Sequence, residues 1–235
     1  MLENSLKLRG EGGCVVVGRK AATREVAQPL FSALSRQLSE DGFKRQGSAA
    51  RFIRNGGEGR SERISIQLAR YDDRIEIVPA FGIRFDDLED LLDTIDEDRE
   101  KAETRHKTTA SKTLSQLDGK WNEQKIVIRG DRDIEKAVKR IAACAKRPAA
   151  EFFSRVSTLE DLEAGLSNPA ESLIPSRLST LIYSVGIALL VHPDADIQET
   201  GERLRKQLDG KPEQRLFDAF MQKVADAKAR RRLGQ

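Results

Sequence analysis

The chain has 235 residues, of which 34% are charged and 38% hydrophobic, so it holds enough apolar material for one large domain or two small ones. Its 41 basic and 38 acidic residues leave a net charge of only +3, which by itself is no argument for a nucleic-acid partner. The two cysteines, Cys14 and Cys144, form no CxxC pair, which argues against a disulfide framework or zinc site and fits a reducing compartment.

No stretch predicts a secretory signal or a membrane span. The apolar part of the N-terminal region, Cys14 to Val17, is too short for the core of a signal peptide. The most apolar run, Leu178 to Val191, is shorter than the roughly 18 to 20 residues that cross a bilayer. We therefore expect a cytoplasmic protein without a membrane partner.

The pattern divides the chain into three regions. An irregular, glycine-rich leader is predicted over residues 1–22 and an α+β sheet domain over residues 23–130. A helical C-terminal region is predicted over residues 131–235, packed on the sheet domain as one unit, because its helices need an apolar partner.

The sheet domain is predicted to begin with an amphipathic helix from Thr23 to Asp41, where apolar residues recur every four positions. Pro29 either stands in the first turn of this helix or kinks it. Gly42 is well placed to end the helix.

A three-stranded antiparallel meander is predicted between Phe43 and Phe85. Alternating apolar residues flank two turn signals, at residues 55–57 and 72–73. Pro79 in the third strand has no N–H to donate, so we expect that strand at an edge of the sheet or bulged at this position. The alternation predicts one buried face and one polar face.

The acidic stretch after Phe85 predicts an amphipathic helix with a solvated acidic face, and its spacing does not fit a calcium loop. Two short strands are then predicted, Thr113 to Leu117 and Trp121 to Arg129, joined as a hairpin at Asp118-Gly119. Trp121 is the only tryptophan, and we expect it to anchor the edge of the core.

Helical patterns follow from Asp131 to the end of the chain. A capping box is predicted at residues 157–160, a helix cap at Asp194 or Asp196, and a helix stop at Gly210. The predicted fold class is therefore α+β: an antiparallel sheet of about five strands with a central β-meander, packed by helices, and an all-helical C-terminal part.

Short motifs recur along the sheet domain and just beyond it: Gly42-Phe43-Lys44-Arg45, Phe52-Ile53-Arg54, Ile66-Gln67, Arg70-Tyr71, Phe81-Gly82-Ile83, the lone Trp121, and the stretch Ala149 to Leu162. Over roughly residues 28–166 this pattern resembles the DUF4304 family, a bacterial family of unknown function. The chain departs from the family in its long acidic segment after Phe85 and in its glycine-rich leader. The resemblance implies no catalytic residues. Some members look like proteins that neutralise toxins by binding them, so it implies an immunity-type role.

A non-enzymatic, protein-binding domain is the function that we favour from the sequence. The chain combines a polar sheet face with charges of both signs and shows no catalytic constellation. The candidate binding residues are Arg54, Arg63, Gln67 and Arg84, and the acidic helix after Asp86 is the other candidate surface.

Two alternatives stay open. One is a nucleic-acid-binding protein with a basic sheet face, although few aromatic residues accompany its cations: Lys44, Arg45, Arg51, Arg54, Arg60 and Arg63. The other is a hydrolase-type enzyme whose carboxylates meet in space. We predict no catalytic residue, metal site or cofactor, because His106 and His192 are isolated and neither a Cys–His pair nor a GxSxG motif is evident.

Overall fold

The computed structural model describes residues 19–47, 50–96, 107–168 and 171–233, with the backbone alone described for 19–26 and 231–233. Within these ranges an antiparallel sheet is combined with helices, and every element after Asp131 is helical. The predicted α+β class is thereby confirmed. Most of the predicted leader, including Cys14, and the isolated His106 lie outside the described residues.

The sheet has six strands among the described residues, and all their pairings are antiparallel. The strand order is β1-β2-β3-β4-β5, and β6 also pairs with β4. The predicted meander is confirmed as β2, β3 and β4. The bounds are β1 (Lys44–Arg45), β2 (Arg51–Gly57), β3 (Arg60–Arg70), β4 (Ile75–Phe85), β5 (Ala110–Thr113) and β6 (Ile126–Ile128).

The helices surround this sheet and form the C-terminal region. Their bounds are α1 (Arg19–Ser39), α2 (Asp86–Ile95), α3 (Leu114–Leu117), α4 (Asp131–Lys146), α5 (Pro148–Arg155), α6 (Leu159–Leu166), α7 (Arg177–Val191), α8 (Ile197–Arg205), a 3₁₀ turn (Lys206–Leu208) and α9 (Glu213–Leu233). Helix α1 begins at Arg19, inside the predicted leader, so Pro29 lies in the interior of the helix and not in its first turn.

One continuous hydrophobic core joins the two halves of the chain. It runs from Ala27 in α1, through the sheet, to Val224 in α9. The sheet contributes the face that carries Phe52, Ile64 and Phe81, all fully buried. Because apolar residues of the helical region belong to the same cluster, these helices cover surface that the sheet could not bury alone.

Pro79 lies in an interior strand, which corrects the expectation of an edge or a bulge. Strand β4 pairs with β3 in unbroken register. On its other side β4 pairs with β6 at residues 75–77 and with β5 at residues 80–83. Pro79 falls between these two short partners, so its missing N–H interrupts no ladder.

The predicted hairpin at Asp118-Gly119 is wrong. Strands β5 and β6 each pair with β4 and not with one another. Thr113 opens helix α3 with a capping box, in which Gln116 N–H bonds to Thr113 Oγ1 and Thr113 N–H bonds to Gln116 Oε1. Asp118 is the C-cap, and Gly119 follows with φ of 73°, a left-handed conformation that ends a helix.

Two local predictions are also corrected, while a third is confirmed. Trp121 is 62% exposed and does not anchor the core edge. The capping box before α6 lies one residue later than predicted, with Thr158 as N-cap and Asp161 as its partner. Asp196 caps α8 as expected. In the described ranges, no helix combines the length and apolarity needed to cross a membrane.

Candidate interaction surface

The register of the sheet decides which predicted binding residues share a face. Residues paired across antiparallel strands project to the same side. Arg63 pairs with Gly82, Gln67 with Val78, and Arg84 with Ser61, so Arg63, Gln67 and Arg84 all lie on the polar face. Arg54 pairs with Glu62, in phase with Phe52, and therefore lies on the opposite, apolar face.

Arg54 joins the end of α1 to the sheet. Its Nε donates to Glu62 Oε2 at 2.7 Å, and its Nη1 donates to the backbone oxygen of Asp41 at 2.8 Å. Its guanidinium also lies over the ring of Phe43, 4.5 Å from the centroid. With these bonds in place, Arg54 has a structural role.

Arg63 and Arg84 lie on the polar face but are buried, so they offer little surface to a partner. Arg63 donates to Ser61 Oγ at 3.1 Å and to the backbone oxygen of Lys107 at 3.0 Å. Burial, and after it the charge of Arg84, lower the pKa of the Arg63 guanidinium to about 10. Arg84 donates to Asp86 Oδ1 at 2.6 Å.

The six basic residues considered for nucleic-acid binding do not form one patch. Pairing places Lys44, Arg51 and Arg63 on the polar face, and Arg45, Arg54 and Arg60 on the apolar face. Arg60 is buried and bonds to Gly56, Glu62 and Phe153. These six residues therefore do not create a single basic sheet face.

Gln67 belongs to the one stretch of β3 in which consecutive residues are exposed. From Gln67 to Asp73 every residue is exposed, including Leu68 at 37% and Tyr71 at 41%. The guanidinium of Arg74 lies 4.2 Å from the centre of the Tyr71 ring. We call Gln67, Leu68, Tyr71 and Arg74 the β3 edge surface.

The hydrogen bonds of β3 show to which side the backbone N–H and C=O of Leu68 point. Tyr71 N–H donates to Arg74 O at 2.9 Å on the β4 side, and Ile66 N–H donates to Ala50 O at 2.8 Å on the β2 side. In an antiparallel strand the backbone groups of successive residues point to opposite sides. The N–H and C=O of even-numbered residues of β3 therefore point towards β2. Leu68 lies past the start of β2, and its N–H and C=O point to a side where, among the described residues, no strand pairs with it.

The acidic helix α2 is less solvated than predicted. Glu89 is fully buried, and its Oε1 accepts hydrogen bonds from Thr109 Oγ1 and from the Tyr183 hydroxyl, each at 2.8 Å. Asp86 forms an ion pair with Arg84, and Asp90 Oδ1 lies 3.8 Å from the same guanidinium. The carboxylates at the start of this helix therefore hold the sheet and helix together.

The described residues do not gather the side chains of a metal site. No group of three or more His, Cys, Asp or Glu in these ranges is placed to hold a metal ion. His192 Nε2 lies 3.0 Å from Glu163 Oε2 at an exposed position. Burial raises the pKa of the Cys144 thiol to about 12, which leaves it almost entirely protonated and unreactive.

Comparisons of the chain with protein-family models, with curated proteins and with solved structures found no match. The basis for assigning a function is therefore the geometry of the sheet and its exposed edge. Of the four residues predicted for binding, Gln67 alone lies on the β3 edge surface. Leu68 and Tyr71 were missed, although each interrupts the polar end of a strand with a large apolar side chain.

Proposed function

We propose that the protein is a non-enzymatic, protein-binding domain and that the β3 edge surface contacts its partner. The N–H and C=O of Leu68, which point away from β4 to a side where no described strand pairs with them, carry this proposal. An open strand edge is a template on which an extended segment of a partner adds hydrogen bonds. Among the described residues, the part of β3 without a paired strand on this side is short, because it lies between the bond to Ala50 and the Asp72-Asp73 turn.

The side chains of this surface indicate what the partner segment presents. Leu68 pairs with Ile77, which pairs with Ile126, so an apolar row crosses the sheet and ends at Leu68, beside which no described strand pairs. A partner residue opposite Leu68 would extend this row and is expected to be apolar. Tyr71 with its stacked Arg74 adds the two residue types that are enriched among energetic hot spots of interfaces.

Membership of the DUF4304 family is part of the same proposal. Some of its members look like proteins that neutralise toxins by binding them, and an immunity-type role would need a binding surface and no catalytic centre. The alternative of nucleic-acid binding has less support, because its six basic residues are divided between two faces and several are engaged in internal bonds.

Site-specific cross-linking tests the proposal. A photo-reactive amino acid replaces the exposed Gln67, and, as a matched control, the exposed Arg215 of α9. Irradiation of bacterial cells that express each variant should give a discrete protein adduct from position 67 and none from position 215. An equal pattern of adducts from both positions, or adducts to nucleic acid alone, would contradict the proposal.

The purified partner then allows a sharper measurement. Leu68→Pro removes the outward N–H without removing a bond to β4, and it should weaken binding about tenfold. Hydrogen exchange of the Leu68 amide should slow in the complex. Unchanged affinity of Leu68→Pro together with an unprotected Leu68 amide would show that the partner does not add a strand here.

A further inference from the structure

A cleft of about 350 Å³ lies in the helical region, far along the chain from the β3 edge surface. It is lined by the end of α6, the segment Ser172 to Ile174, the first turns of α7 and Gln207 of the 3₁₀ turn. Its volume falls at the lower end of the roughly 300–1,000 Å³ typical of small-molecule sites. It shares no residue with the surface proposed for protein binding.

The wall of the cleft is mainly aliphatic. Leu166, Leu173, Ile174 and Leu181 contribute to it, and Leu173 and Leu181 are themselves buried. A Cβ added to Gly165 would come within 2.5 Å of Leu173 Cδ1, so α6 packs closely on the segment that carries Leu173. Leu173 therefore packs against α6 where it lines the cleft.

The charge of the cleft comes from one residue. Among the lining residues that the structure describes, Arg177 alone is charged, and neither Asp nor Glu accompanies it. In the described part of the chain no carboxylate forms an ion pair with Arg177, whereas Arg155 and Arg205, also in the helical region, pair with Glu171 and Asp218. Ser172, Thr180 and Gln207 add neutral polar groups to the same cleft.

From this combination we infer that the cleft binds a small amphiphilic anion, namely a medium-chain carboxylate. Its carboxylate lies against the guanidinium of Arg177, which offers donors suited to that planar group. Its chain lies along Leu166, Ile174 and Leu181, where it is removed from water. A cation of the same shape is disfavoured, because it would meet Arg177 without a compensating carboxylate.

Calorimetric titration of the full chain with three eight-carbon probes tests this inference. Octanoate should bind more tightly than octanol, and octylammonium should bind least. Arg177→Gln should weaken octanoate about fivefold, in keeping with an exposed ion pair, and leave octanol unchanged. Arg215→Gln changes another exposed arginine, outside the cleft, and should leave all three affinities as they are.

Three results would overturn the inference. One is equal binding of octanoate and octylammonium, and another is an Arg177→Gln variant that binds octanoate as the wild type does. The third is a peptide with a free C-terminal carboxylate that binds more tightly than octanoate and depends on Arg177, which would assign the cleft to a protein terminus. Because the side chain of Arg177 is exposed, the Arg177→Gln variant should fold as the wild type does. Its melting temperature checks this.

Discussion

The hydroxyl of Tyr183 donates a hydrogen bond of 2.8 Å to Oε1 of Glu89, a carboxylate without any exposed surface. Thr109 Oγ1 donates to the same oxygen at 2.8 Å and accepts from the backbone N–H of Phe85. A buried carboxylate is tolerated only where such bonds replace its water. The pair thereby ties α7 of the helical region to α2 and to the end of β4.

Tyr183→Phe should lower the free energy of unfolding by about 1–3 kcal/mol, because it removes a donor from a buried carboxylate. Chemical denaturation of both proteins measures the change. Tyr71→Phe is the control: Tyr71 is exposed, and this variant should remain within about 0.5 kcal/mol of the wild type. Equal effects of the two substitutions would mean that the bond to Glu89 adds nothing.

Proline at two neighbouring positions of β3 should lower the free energy of unfolding by unequal amounts. The N–H of Gln67 bonds towards β4, whereas that of Leu68 points to the other side, where no described strand pairs with it. We expect Gln67→Pro to lose about 1–3 kcal/mol more stability than Leu68→Pro, as seen by denaturation. Amide exchange in the free wild-type protein should be slow at Gln67 and fast at Leu68. The reverse order in either measurement would show that the bonding pattern is different.

Alanine at two helical glycines should change the free energy of unfolding by different amounts. A Cβ on Gly186 of α7 would lie 2.7 Å from Leu88 Cδ1 and 3.1 Å from Leu92 Cδ2, and both leucines are buried. Gly186→Ala should therefore cost about 1–3 kcal/mol from overpacking, despite the gain in helix propensity.

A Cβ on Gly201 of α8 would meet the terminal methyl group of Met221, a flexible side chain that can move aside. Gly201→Ala should therefore be neutral or stabilise the protein by up to about 1 kcal/mol. Thermal denaturation of both variants compares them. If Gly201→Ala destabilises the protein as much as Gly186→Ala does, the side chain of Met221 cannot move aside where α8 packs on α9.

Cys144 should resist alkylation in the native protein. Burial raises its pKa to about 12, so its thiolate fraction at pH 8 is about a thousandfold below that of an ordinary thiol. In a Cys14→Ser variant Cys144 is the only thiol, and its rate with iodoacetamide can be followed directly. The rate should rise to that of a free cysteine in denaturant. A native rate within tenfold of the denatured rate would refute this.

The sheet could be predicted because its evidence is local. Alternation across residues 43–85 and two turn signals define β2, β3 and β4 without knowledge of any distant contact. Arg54 is one of the predicted binding residues, although counting by twos from Phe52 places it on the apolar face. For a strand residue the phase is thus a better guide to its face than its polarity.

Other features depend on contacts that a local pattern does not contain. Glu89 is buried because Thr109 and Tyr183, 20 and 94 residues away in the chain, supply its hydrogen bonds. The hairpin predicted at Asp118-Gly119 failed for a different reason. The capping box of Thr113 and Gln116 was present in the sequence and outweighs a turn signal that also suits the end of a helix.

The position of Pro79 has a consequence for how this fold can change. Because β6 and β5 pair with β4 on either side of Pro79, each strand holds its own register. The connection between them, residues 114–125, can therefore gain or lose residues without shifting either strand, provided that α3 is kept. Pro79, in the middle of the sheet, thus separates two short partners of β4, and the sequences of β5 and β6 can change independently of each other.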